Sequence, residues 1–200
     1  MTLYDLKPRF KALLRPLTAR LAAAKITANQ VTLAAAIGSI AVGVFVAWFA
    51  ENRIVFLLLP GWFLIRMALN AMDGMLAGEF GQKSKLGAYL NELCDVISDT
   101  ALYLPFAFVA PFDWLGVGAV IVLAVISELA GILGHAVGAS RHYDGPLGKS
   151  DRALVLGALA LWIGVGGAMP DWLFWFMPAL AALIALTIVN RVRAGLRESK

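Results

Sequence analysis

Six stretches of mostly apolar residues, near 28–50, 54–78, 86–110, 114–139, 152–168 and 172–190, leave this 200-residue chain little choice of solvent. A helix gains about 1.5 Å per residue, so roughly 20 residues cross the ~30 Å hydrocarbon layer of a bilayer. Backbone in that layer must satisfy its own hydrogen bonds, which selects helices over irregular chain. The expected fold class is therefore all-α: a polytopic membrane protein with six transmembrane helices and an N-terminal amphipathic interfacial helix. Connections are short and no repeat or low-complexity segment stands out, so a single membrane domain over 1–200 is expected, with an arm at 1–26 and a six-helix bundle at 27–195. Sixty per cent of the residues are hydrophobic, and little chain remains for a separate soluble domain.

Charge sets the orientation. Of the 17 Lys and Arg, all but Arg53 and Arg66 fall in the N-terminal arm, in the loops near 79–86 and 140–151 (counting Arg152 with its loop), or in the C-terminal tail. With six crossings these segments share one side, and the positive-inside rule makes that side cytoplasmic, both termini included. The net charge of +4 reads as topology and contact with anionic lipid, not as a nucleic-acid groove. In the arm, Leu3, Leu6, Phe10, Leu13, Leu14, Leu17 and Leu21 are interleaved with Lys7, Arg9, Lys11, Arg15 and Arg20, the pattern of a helix lying on a membrane surface. Thr27 and Asn29 read as the capped start of the first span. Cys94, the single cysteine, reads as a small buried residue.

Against this apolar background, the polar residues of the second and third spans form stripes. Arg66, Asn70, Asp73 and Ala77 follow steps of four, three and four, and Gly87, Asn91, Asp95 and Asp99 follow uniform steps of four, so each set shares one helix face. Ionisable groups in a membrane segment cost roughly 2.5–3.5 kcal/mol each on insertion scales, which marks Asp73, Asp95 and Asp99 as site candidates. Asp73 and Asn91 lie within about two turns of the cytoplasmic boundary, a depth suited to lipid head groups. Arg66, Asp99 and Glu128 fall near mid-span and read as an ion cluster, Arg66 with Glu128 above all. His135 reads as a packing hydrogen-bond partner. Gly38, Gly43, Gly131, Gly134 and Gly138 read as sites of close helix packing, whereas Gly74 and Gly87 leave room beside the carboxylates for a phosphate.

Oxygen donors on two antiparallel helices suit Mg²⁺ or Mn²⁺, ions that bridge phosphates and stabilise charge at phosphorus while a carboxylate takes a proton from an attacking alcohol. A second basic cluster, Arg141, Lys149, Ser150 and Arg152, ends the fourth span and begins the fifth. It reads as a positive-inside loop or as a site for the phosphate of a polar acceptor such as a phosphorylated polyol. Ser150 and Asp151 read as the cap of the fifth span.

The spacing resembles the D-x2-D-G-x2-A-R-x8-G-x3-D-x3-D signature of the CDP-alcohol phosphatidyltransferase family. Asp73, Gly74, Ala77, Gly87 and Asp95 agree with it, while Asn70, Gly78 and Asn91 stand where the pattern has Asp, Arg and Asp. The resemblance implies metal-dependent transfer of a phosphatidyl group from CDP-diacylglycerol to an alcohol, releasing CMP, at the bacterial inner membrane by a homodimer. It assigns the metal to Asn70, Asp73, Asn91 and Asp95, with Asp99 as a displaced extra ligand, and the nucleotide to Gly74, Ala77, Gly78 and Gly87. Asp95 becomes the general base. Two lost carboxylates weaken the expected metal binding, and the missing arginine leaves Lys83, Lys85 or Arg66 as possible substitutes. The competing reading is a family member that binds nucleotide or lipid without turnover. A small transporter is disfavoured because no paired repeat is evident.

Overall fold

The computed structural model describes residues 3–199, with side chains from Arg9 to Ser199. Seven helices follow in order: α1 (Leu3–Ala23), α2 (Ala28–Trp48), α3 (Leu58–Gly78), α4 (Lys85–Tyr103), α5 (Trp114–Ile132), α6 (Lys149–Gly164) and α7 (Phe176–Glu198). Short 3₁₀ turns lead into α3 (Arg53–Leu57) and α7 (Asp171–Trp175), and others continue α4 (Leu104–Phe108) and α5 (Leu133–Val137). Each of the six apolar stretches thus contains one helix, and no strand occurs among the described residues.

Four segments are long and apolar enough to cross a membrane: Ala28–Trp48, Arg53–Gly78, Trp114–Val137 and Asp171–Glu198, with mean hydropathies of 2.1, 1.8, 2.3 and 2.2. The other two fall short for different reasons. Lys85, Glu92, Asp95 and Asp99 make α4 too charged, and α6, with 16 residues, reaches only about 24 Å. The expected fifth span begins three residues early because Gly148, not Ser150 or Asp151, occupies the cap position. Asp151 does serve that end of the helix, accepting a bond from the Gly148 amide at 3.0 Å.

At the start of α2 the Thr27 hydroxyl accepts from the Gln30 amide at 3.2 Å and the Gln30 side chain accepts from the Thr27 amide at 2.8 Å, a reciprocal cap. Gln82 then ties the α3–α4 loop to this corner by accepting from the Ala28 amide at 2.7 Å. Helix α1 packs along α3. Its Leu21 and Ala22 join a small cluster of Ala28, Val31 and Leu76, and Arg15 meets Glu79 at 3.0 Å. Leu3, Leu6 and Lys7 of the arm lie outside the described side chains.

Helix α2 packs against both α3 and α4, α5 against α7, and α3 against α6. Gly43 makes the α2–α4 approach possible, because a Cβ there would collide with the Ala101 carbonyl. The main apolar core lies away from the α3–α4 loop, around Phe56, Leu102, Phe106, Ile163 and Met177, where Phe56 and Phe106 meet edge to face with centroids 5.7 Å apart. The opposite end of the bundle is filled by charge.

Candidate active site

Helices α3 and α4 do not pack along one another; polar side chains bridge the space between them. Asp95 on α4 is the junction. Its Oδ1 accepts from Asn70 Nδ2 at 2.9 Å and from Arg66 Nη2 at 3.3 Å, and its Oδ2 pairs with Lys149 Nζ at the first turn of α6. Arg66 also donates to the Asp95 carbonyl at 3.0 Å and to Asp99 Oδ1 at 2.5 Å. Of the two stripes, Arg66 and Asn70 meet Asp95 and Asp99, with Asn70 and Asp95 in direct contact. Asp73, only 4% exposed, turns instead towards α2 and accepts from the Thr32 hydroxyl at 2.7 Å. It remains close enough to Asp95 and Lys149 to feel both charges. Asn91 donates to its neighbour Glu92 at 3.4 Å, outside the Asp95 cluster.

The second basic cluster reaches the same place by way of α7. The segment between α5 and α6 has no regular structure and is pinned from one side: Thr187 accepts from the Leu147 amide at 2.9 Å, Asn190 donates to the Gly145 carbonyl at 2.8 Å, and Arg191 donates to the Asp144 carbonyl at 3.2 Å. Gly131 and Gly134 admit this segment, since a Cβ on either would strike the carbonyl of His142 or Ser140; their role is loop seating more than helix packing. Pinning the loop aims Arg141 and Lys149 inward. Arg141 stacks on Tyr143 with its guanidinium carbon 4.9 Å from the ring centroid. Burial pushes its guanidinium below the ordinary value, yet an arginine stays charged under such a shift. His135 lies 3.2 Å from the Ala139 carbonyl four residues on, a contact within its own turn in place of the expected bond between packed helices.

An alternating ladder of charge results. Glu92 pairs with Arg141, Arg141 with Glu128 at 3.4 Å, Glu128 with Arg152 at 2.8 Å, Arg152 with Asp99 at 3.4 Å, and Asp99 with Arg66, which leads on to Asp95 and Lys149. Arg191 adds a third cation beside Glu128 at 3.4 Å. Two sequence expectations are corrected here. Arg66 does not pair with Glu128; the acid is neutralised by arginines from α6, α7 and the α5–α6 loop. Arg152 does not present itself to a ligand from the loop, because it is 1% exposed and committed to Glu128, Asp99 and the Ser127 hydroxyl. Ser150, by contrast, is exposed.

On the open side of α3, Gly74 and Gly78 are exposed, and a Cβ on either would meet nothing within 4 Å. The backbone there is bare and approachable. Gly87 differs: a Cβ would press against Asn29 Oδ1 at 2.8 Å, so this glycine brings the start of α4 against α2. Ala77 packs beside the α1–α2 cluster. Of the positions outside the sequence motif, Thr32, Glu92 and Arg191 touch the site or its ladder. Only their polarity in apolar or basic surroundings could have signalled them.

Among the described residues no group of three or more Asp, Glu, His or Cys converges on one point. Both Asp95 oxygens already face cations, Asp99 is held between two arginines, and Asn70 and Asn91 bring no charge. Mg²⁺ and Mn²⁺ prefer several hard oxygens, carboxylates foremost. As arranged, these residues do not fit such an ion.

The model of the CDP-alcohol phosphatidyltransferase family matches residues 25–189. The inner membrane protein YnbA of Escherichia coli (strain K12) is 44% identical over 202 residues, which cover 100% of this chain and 98% of that protein. Four helices apolar enough to cross a bilayer, with a relative of that description, support an integral membrane protein. The matched span takes in both polar stripes and the pinned basic loop, and the chain belongs to the CDP-alcohol phosphatidyltransferase family.

Proposed function

We propose that the chain transfers a phosphatidyl group from CDP-diacylglycerol to the hydroxyl of a polar alcohol, with CMP as leaving group, at the cytoplasmic face of a bacterial inner membrane. Family membership supplies the reaction class, phosphotransfer from a CDP-alcohol in phospholipid synthesis. In this reading α4 and α6 cross the bilayer with the other four spans, sheltered by them, α1 lies at the interface, and one domain works as a homodimer. The observation that carries it is the meeting of Asp95, Asn70, Arg66 and Lys149, with the bare backbone of Gly74 and Gly78 about one and two helical turns along α3 from Asn70.

Each residue has a stated part. Gly74 and Gly78 let the cytidine diphosphate lie against α3, while Ala77 and Gly87 shape the floor through their packing. Lys149 and Arg141 attract phosphate oxygens, with Ser150 as a hydroxyl donor for the acceptor's phosphate. The acceptor oxygen attacks the lipid-side phosphorus, the bond from that phosphorus to the CMP oxygen breaks, and the alcohol proton passes to the Asp95 carboxylate. Family members typically use a divalent metal. Asp73, Asp95, Asn70 and Asn91 are the oxygens such an ion would have to recruit here, and their present pairing does not fit it.

The test is CMP release from labelled CDP-diacylglycerol by protein purified in detergent, against a panel of polyol phosphates such as glycerol and inositol phosphates. Release is expected with one acceptor, and a drop of at least 10²-fold with Asp95→Asn, in the usual range for a lost general base. A second reading, nucleotide binding without turnover, is favoured by Asn70 and Asn91 and by the cations already seated on Asp95. Measurable CDP binding with no CMP release from any acceptor selects it.

A further inference from the structure

We propose that Lys149 is the resident cation of this site, so that the chain binds a nucleoside diphosphate without a divalent ion. The inference rests on the nucleotide reading above and goes beyond it, because it separates this chain's charge balance from a metal requirement. Counting the ladder and Asp73 together, the five acids Glu92, Asp73, Asp95, Asp99 and Glu128 stand against the five cations Arg66, Arg141, Lys149, Arg152 and Arg191. Four of these acids pair directly with a protein cation, Asp73 accepts from the Thr32 hydroxyl instead, and the five charges of each sign cancel, so no surplus negative charge is left to attract Mg²⁺ or Mn²⁺.

Lys149 is the most exposed cation of this set, ahead of Arg141, which is 20% exposed and shared between Glu92 and Glu128. Arg66, Arg152 and Arg191 are 4%, 1% and 2% exposed and bound to several partners each, whereas the Lys149 side chain is 27% exposed and rests on an Asp95 carboxylate that is itself 16% exposed. An ammonium is a compact charge on a flexible stem that can pivot from a carboxylate to a phosphate while Arg66 and Asn70 keep Asp95 in place. The neutral amides at Asn70 and Asn91 fit the same balance. Two more carboxylates here would leave the site two charges negative, a surplus that a divalent ion would cancel.

The experiment titrates the detergent-purified full chain with Mn²⁺ alone, then with CDP in EDTA and in millimolar Mg²⁺, by calorimetry. The expected results are no saturable Mn²⁺ binding below about 1 mM, and CDP dissociation constants in EDTA and Mg²⁺ that agree within about threefold. Lys149→Met should weaken CDP in EDTA by about tenfold or more and Lys149→Arg by much less. Asn70→Asp combined with Asn91→Asp should create saturable Mn²⁺ binding and make CDP binding depend on it. Micromolar Mn²⁺ binding by the unaltered chain, or CDP binding that appears only with Mg²⁺, overturns the inference while leaving the nucleotide reading intact. Absence of CDP binding under every condition overturns that reading and the inference with it.

Discussion

The two ends of the bundle are held by opposite physics. Around Phe56, Leu102, Phe106 and Met177 the interior is apolar and close-packed, while one turn beyond Leu102, from Asp99 onward, it becomes a ladder of buried acids and bases. A packed apolar interior loses stability in proportion to the volume removed, so modest changes are modestly felt. A paired interior behaves differently: each charge is tolerable only while its partner stands, and losing one strands another. The apolar end can therefore serve as scaffold, whereas the charged end responds to any new charge that enters it. A phosphate arriving beside Lys149 is such a charge.

The sharpest way to break this contrast is to remove Glu128, which faces Arg141, Arg152 and Arg191. Glu128→Ala should cost about 3–5 kcal/mol, the usual penalty for orphaning a buried ion pair, read as a large drop in thermal midpoint in detergent. An unchanged midpoint would falsify the ladder as a coupled unit. Next comes the backbone seam that sets α4 in place: Gly43→Leu must push α2 off the Ala101 carbonyl and should cost about 1–3 kcal/mol as an overpacking change. On the proposed activity, CMP release should fall as well, because α4, which carries Asp95, loses its seat against α2. At the apolar end, Leu102→Met conserves volume and should cost less than about 1.5 kcal/mol in the same thermal assay. A loss as large as that of Glu128→Ala would erase the distinction between the two ends. Smallest of all is the exposed pair of Arg15 and Glu79, where Arg15→Ala should change stability by no more than about 1 kcal/mol and less at high salt.

Much of the scaffold was legible because apolar run length and helix rise are local properties. The starts of α2 and α5 fall where the runs begin, and the Thr27 cap could be read from four residues. The helix ends were harder. Pro105 opens a 3₁₀ turn where α4 was expected to continue, Gly138, left-handed at φ 80°, ends the one that follows α5, and Gly148 starts α6 three residues before the apolar run. Within the site, steps of three and four correctly set Asn70 opposite Asp95, because a helix face is fixed by 3.6 residues per turn. Partner choice was not fixed in that way. Arg66 and Glu128 share a depth, yet helix packing gives Arg66 to α4 and Glu128 to three other arginines.

What the sequence determined by itself was the medium, the helical class and the two polar faces, since hydropathy and period depend only on neighbouring residues. The tertiary structure alone decided where the charges go. Lys149 lies 54 positions beyond Asp95, and only the pinning of the α5–α6 segment by Thr187, Asn190 and Arg191 brings that ammonium onto the carboxylate. The physical reason is that an ion pair depends on distance through space, and in a helical bundle that distance is set by which helices pack together and by loops whose course no local periodicity encodes.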